Sequence, residues 1–214
     1  MKLSENNLSD YKYFNVTKVA KIISFLIHPF FVSVAYIAIL IYLDTGLFYT
    51  SISWAGLYSL FVLVPVFIYM FYKITKGHFT DMDISVRKER LGLYIIGGLF
   101  LLLYYFTVIY KQAPHILFVL VSTGLAMVIS FAFITHFWTK ISVHSGTIVG
   151  FAVSTIYYSL PVFLYSIAIA LLVTWSRLTL SQHSLNQIFL SWTISAAWVL
   201  VMFSWLLWKI FYWN

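Results

Sequence analysis

Charged residues divide this chain into long apolar stretches. The uncharged runs cover residues 22–43, 45–72, 91–110, 112–139, 141–176 and 178–208, and a helix needs about 20 apolar residues to cross a bilayer. The first four runs each predict one span, at 22–43, 52–72, 91–110 and 115–137. The fifth is too long for one helix and carries Ser159-Leu160-Pro161 near its middle, where proline favours a turn or a helix start. It therefore reads as two short spans, 142–158 and 161–176. The sixth opens on the polar stretch Thr179-Leu180-Ser181-Gln182-His183-Ser184 before a last helix at 185–211. The expected fold is all-α, a polytopic transmembrane helical bundle of six to seven spans. The number is seven if every segment crosses, and six if 22–43, which contains Pro29, lies in the interface or re-enters. Barrel strands would be about ten residues long with apolar and polar positions alternating, and nothing in this sequence alternates that way.

Composition names the solvent. Of 214 residues, 62% are hydrophobic and 21% aromatic, against 13 Lys and Arg and 6 Asp and Glu. A water-facing surface takes roughly a quarter of its residues as charges, so these charges cannot cover one, and the surroundings must be lipid. The chain divides into a polar N-terminal segment, 1–21, and a single membrane domain, 22–214, whose chemistry-bearing core spans about 74–214. No cleavable signal is expected, because the first apolar run is already of spanning length. The absence of cysteine excludes disulfides, thiolate metal sites and a cysteine nucleophile.

Placing the charges explains their sum. With seven spans, alternate connections lie on opposite faces. Lys2, Lys12, Lys18, Lys21, Lys73, Lys76, Arg87, Lys88, Arg90, Lys140 and Arg177 then share one face, and Lys111 and Lys209 the other. The positive-inside rule makes the first face cytoplasmic. The net charge of +7 reads largely as a topology signal. No nucleic-acid partner is expected, since no basic surface outside the membrane is large enough to follow a backbone.

Three clusters on the basic face carry chemistry. Asp81-Met82-Asp83-Ile84-Ser85-Val86-Arg87-Lys88-Glu89-Arg90 precedes the third span, Lys140-Ile141-Ser142-Val143-His144 leads into the fifth, and Ser176-Arg177 ends the sixth, followed by His183 and Gln187. Guanidinium groups present planar forks of donors that match phosphate oxygens. An imidazole serves as nucleophile or proton carrier near neutral pH. Together these groups suit phosphoryl transfer at a membrane surface.

These residues resemble the signatures of the type 2 phosphatidic acid phosphatase superfamily of integral membrane lipid phosphatases. Its third signature, Ser-Arg, five residues, His, three residues, Asp, is similar to Ser176, Arg177, His183 and Gln187, with Gln in the Asp position. Its second, Pro-Ser-Gly-His, is matched by Ile141-Ser142-Val143-His144 at the Ser and the His. Of the first, Lys, six residues, Arg-Pro, only Arg90 remains, with Asp83 at the Lys position and Leu91 at the Pro. The run from Thr80-Asp81 to Arg87 and Arg90 looks like a variant first signature of prokaryotic branches. The pieces occur in order, each at a helix end, with an even number of spans between them.

The resemblance implies a metal-independent phosphatase without a cofactor, acting on a lipid phosphate in a bacterial inner membrane. His183 would attack phosphorus and form a phosphohistidine. Arg90 and Arg177, with Arg87 or Lys140, would hold the non-bridging oxygens, and Ser142 would add a donor. His144 would protonate the leaving alkoxide and later activate water. Four positions after His183, the Gln187 side chain would lie one helical turn away and accept Nδ1–H, leaving Nε2 as nucleophile. Asp81 and Asp83 either orient Arg87 and Arg90 or hold Mg²⁺ on a diphosphate.

Two further functions stand beside the phosphatase: a catalytically silent relative that binds or transports lipid, and an Mg²⁺-dependent prenyl or alcohol-phosphate transferase using Asp81 and Asp83. Outside the clusters, His28 and His115 read as packing or interfacial residues, His78 as solvated and His136 as a residue near the active face. Gly146 and Gly150 read as small residues that let the fifth helix pack closely within the domain.

Overall fold

Proline and glycine set the helix boundaries. A computed structural model of the protein describes residues 5–80, 84 and 86–212, with side chains for 15–80, 84 and 86–205. Helix α1 (Glu5–Leu26) ends just before Pro29, which opens α2 (Pro29–Thr45). His28 between them is extended, at φ −70° and ψ 142°, the region into which a following proline pushes its predecessor. The expected span at 22–43 is thus corrected to two helices meeting at a bend of 45°. Gly46 ends α2 in the left-handed region at φ 69°, its N–H on the Tyr42 carbonyl.

Helix α3 (Phe48–Tyr58) passes through a π turn at Ser59–Leu63 into α4 (Val64–Thr75). Pro65 lacks an N–H and its ring crowds the carbonyl four residues back, and the wider π turn accommodates both defects. The remaining helices are α5 (Arg90–Tyr110), α6 (His115–Phe137), α7 (Val143–Thr155), α8 (Leu160–Thr179) and α9 (Leu185–Tyr212). Ser159 caps α8 with Pro161 in its first turn, the break expected inside the longest apolar run. No strand occurs among the described residues.

Five stretches are long and apolar enough to cross a membrane: Phe48–Thr75, Arg87–Tyr110, His115–Phe137, Leu160–Thr179 and Leu185–Trp205. The pair Asn15–Leu26 and Pro29–Thr45, bent at its break, forms either a sixth, broken span or a re-entrant loop. The expected short span at 142–158 is the short helix α7 and the turn after it, which begins with His144 beside His28 and ends with Tyr158 on Asp44, so it runs alongside α2 from one end to the other. The 13 residues of α7 rise about 20 Å, against a hydrocarbon thickness of about 30 Å. Large apolar side chains such as Phe67, Ile68, Phe71, Phe106, Leu171 and Val201 face outward, a surface suited to lipid. Inside the spans, hydroxyls return to their own helix, as Ser122 does to the Phe118 carbonyl and Ser166 to that of Val162, which satisfies them without water.

Helix α7 is the centre of the bundle, packed against α2, α8 and α9, with ten of its 13 residues buried. Gly146 makes that packing close: a Cβ there would lie 2.7 Å from a Phe131 ring carbon and 3.0 Å from Ser195 Oγ. Gly146→Val is therefore expected to destabilise the fold by about 1–3 kcal/mol through overpacking, read as a lower midpoint of thermal unfolding in detergent. An unchanged midpoint would show that the α6–α7–α9 junction yields freely.

Between α2, the α3–α4 run, α5, α6 and α7 lies a chamber of about 220 Å³ with mainly apolar walls, among them Ile37, Val62, Leu101, Val121, Val128 and Phe131. A smaller cavity of about 80 Å³ adjoins it and shares Pro29, Phe30, Leu93, Tyr94 and Val143 as walls. Three of the residues singled out for chemistry, Arg90, His144 and His183, line this second space.

Candidate active site

Helix starts converge on the smaller cavity. Its walls include Pro29 and Phe30 from α2, Arg90 from α5, Val143 and His144 from α7, and His183 just ahead of α9, together with His28. Each helix start brings partial positive charge and outward-pointing N–H groups. No acidic residue lines the cavity among the described residues. This is an environment for an anion.

His183 is held by local sequence. Ser184 and Gln187 form a reciprocal capping box at the start of α9: Gln187 N–H donates to Ser184 Oγ at 3.4 Å, and Ser184 N–H to Gln187 Oε1 at 3.3 Å. The same Oε1 lies 3.1 Å from His183 Nδ1, and Gln187 Nε2 donates to Thr139 Oγ1 at 3.0 Å. With its nitrogen on Thr139, the amide turns its oxygen to His183, which assigns the ring proton to Nδ1 and the lone pair to Nε2. His183 precedes the helix rather than beginning it, so the expected same-face pairing arises from the capping box. Burial, then the charges of Arg90, Arg177 and Lys140, push the imidazole down to about 3, with the Gln187 bond opposing them. At neutral pH the ring is uncharged.

His144 sits at the second position of α7, nine-tenths buried, and its Nε2 has no hydrogen-bond partner. Ser142 places it there by capping α7: its Oγ accepts Ser145 N–H at 3.4 Å and donates to Ser145 Oγ at 3.0 Å. Ser142 is fully buried and lies outside the cavity walls, where it caps the helix.

The cations divide by function. Arg90, 5% exposed, lines the cavity and ties down two carbonyls, Ile84 through Nε and Ile141 through Nη1, both at 2.7 Å. Ile84 adopts φ 48°, a left-handed conformation that costs a β-branched residue about 1–3 kcal/mol. Arg177 is fully buried at the end of α8, where Nη1 donates to Ser24 Oγ of α1 at 2.7 Å, and Ser176 Oγ donates to the Ala20 carbonyl. Lys140 is half-buried and contributes positive charge at His183. Arg87 departs from expectation. Its three guanidinium nitrogens donate to the carbonyls of Thr135, His136 and Trp138, capping the last turn of α6, where helix carbonyls lack partners. Asp81 and Asp83 lie outside the described residues.

His28, expected to be a packing or interfacial residue, also lines this cavity and meets His144 edge to face, with ring centroids 4.9 Å apart. Its sequence signal was His-Pro at a helix start inside an apolar run, too common a pair to single out. No family model matches this chain, no curated protein matches it significantly, and no solved structure matches its fold.

The Gln187 geometry yields an expected result. Gln187→Leu removes both the acceptor that fixes the His183 tautomer and half of the capping box. Under the phosphatase reading proposed below, phosphate release is expected to fall by about 10²-fold, a smaller loss than the ~10⁴ caused by an enforced wrong tautomer, whereas Gln187→Glu retains the acceptor and most of the rate. A leucine variant as active as wild type would remove the orienting role.

Proposed function

We propose that the protein is a membrane-embedded phosphatase of the type 2 phosphatidic acid phosphatase kind, hydrolysing a lipid phosphate or a polyprenyl diphosphate. The observation that carries this reading is the His183 site: a buried, neutral imidazole with its tautomer set by Gln187, sharing a cavity with His144 and Arg90. The adjoining apolar chamber suits the first part of a hydrocarbon tail, with the head group among the helix starts.

In the first step His183 Nε2 forms a bond to phosphorus as the bond from phosphorus to the lipid oxygen breaks. His144 takes a proton from the monoanionic phosphoryl group of the entering substrate and gives it to the leaving oxygen. In the second step neutral His144 takes a proton from water, the water oxygen bonds to phosphorus, and the P–N bond breaks to release phosphate and restore His183. Arg90 and Arg177 supply the positive field in which charge on the transferring group is stabilised. No metal or cofactor takes part in this scheme.

The second reading, a silent relative that binds lipid, is favoured by one observation: two groups expected on phosphate, Arg87 and Ser142, cap helices instead. Purified protein incubated with a panel of lipid phosphates in EDTA separates the readings. Release that survives EDTA and disappears in His183→Ala supports the phosphatase, and no release from any lipid supports the binding protein. Strict Mg²⁺ dependence would point to the transferase.

The charge asymmetry supports a cytoplasmic active face, in the bacterial inner membrane that the family resemblance implies. Because the chain has no cysteine, Lys76→Cys, at an exposed position, is a clean reporter. An impermeant maleimide is expected to label it only after cells are opened, and labelling of intact cells would place the active face outside.

A further inference from the structure

His28 has no part in the scheme above, yet it stands in the wall of the same cavity as His144, His183 and Arg90. Three observations give it a definite chemistry. Its Nδ1 accepts the Phe30 N–H at 3.3 Å, which assigns the proton of the neutral ring to Nε2. Its ring is set against His144 at an interplanar angle of 83° and against Phe30 at 65°, contacts that fix its direction. Across the 4.9 Å between the two ring centres, His144 Nε2 is buried with no hydrogen-bond partner. Buried polar atoms are rarely left so, and this one marks the cavity as a place for a polar occupant.

We infer that His28 is a further phosphate-binding residue, donating Nε2–H to a non-bridging oxygen from the α2 wall. The ligand is a phosphoryl group, whether carried by a lipid or free, and the inference rests on the phosphatase reading for its substrate. His28 joins the α2 helix start to a site that otherwise draws on α5, α7, α8 and the segment before α9. It also makes the hinge between α1 and α2 part of the binding surface.

The test uses the full chain in detergent, with inorganic phosphate as probe in titration calorimetry and a lipid phosphate as substrate in kinetics. His28→Phe keeps the ring packing and removes the donor. A hydrogen bond to a charged group is worth about 1.5–3 kcal/mol, so phosphate Kd and substrate KM are expected to rise about tenfold or more, with kcat within about threefold. His28→Gln carries an N–H at similar reach and is expected to stay within about threefold of wild type. Unchanged affinity in His28→Phe, or equal losses in both variants, overturns the assignment. If His28→Phe does not fold, the ¹⁵N resonance of His28 Nε2 in the wild-type chain decides: movement on adding phosphate supports it, and a fixed resonance overturns it. Wild-type protein that binds inorganic phosphate but hydrolyses no lipid phosphate sinks the phosphatase reading and leaves the His28 assignment to the binding data. Wild-type protein that binds no phosphate overturns both.

Discussion

Replacing His183 with alanine is expected to lower phosphate release from a lipid phosphate by at least about 10³-fold, because the P–N bond can no longer form and the remaining groups only bind and polarise the substrate. The variant should still fold, since the capping box of α9 rests on Ser184 and Gln187, and it should still bind substrate. Rapid-quench analysis should find an acid-labile phosphoprotein in wild type and none in the variant. The pH dependence carries the same signature. Burial and the neighbouring cations depress the His183 imidazole to about 3 in the folded protein, from an unfolded value near 6.5. Between those values the unfolded chain binds more protons than the folded one. The contribution of this ring to stability is therefore complete above pH 6.5 and is lost as pH falls toward 3. His183→Ala should flatten that part of the stability curve. Rate at an unchanged level in the variant would end the phosphohistidine scheme, whatever the pH profile.

Arg90→Met is expected to have the second-largest effect, on fold and rate together. Methionine fills much of the volume but leaves the Ile84 and Ile141 carbonyls without their donor. Each orphaned carbonyl costs about 1–3 kcal/mol, so unfolding stability should fall by about 2–6 kcal/mol. Removing a preorganised cation from the cavity should lower kcat/KM by about 10³-fold. Arg90→Lys distinguishes charge from geometry: it restores the charge but lacks the planar fork that reaches both carbonyls. The expected order is wild type, then lysine, then methionine in both the melting curve and the rate. A methionine variant that melts and turns over like wild type would show that Arg90 serves neither purpose.

Much of the architecture was legible because a bilayer sets one length scale. The gaps between charges located α5 and α6, and Pro161 divided the longest gap near Ser159, where α8 is capped. What hydropathy could not convey is which apolar helix touches lipid and which touches protein. The residues of α7 are as apolar as those of a span, yet they are buried at the bundle's centre. Pro65 went unread because the stretch around it is apolar throughout, and a π turn leaves no mark in composition. In the site, residues fixed by neighbours in sequence were readable, as with Gln187 and His183. Residues fixed by distant partners were not. Arg87 lies three positions before Arg90, but a 3₁₀ turn at Arg87–Glu89 directs it to the end of α6. His28 reaches His144 only because α1 and α2 bend between Leu26 and Pro29.

The segment from Trp138 to Ser142 receives side chains from both of the other clusters: Arg87 on the Trp138 carbonyl and Arg90 on the Ile141 carbonyl from the first, and Gln187 on Thr139 Oγ1 from the third. His144 follows directly from that segment, and His183 is aimed by the same amide that grips Thr139. The two residues proposed as nucleophile and proton carrier are thus mounted on a common strap rather than on independent supports. Thr139 lines no part of the cavity, yet in the proposed reaction a change there is expected to blunt attack and hydrolysis alike.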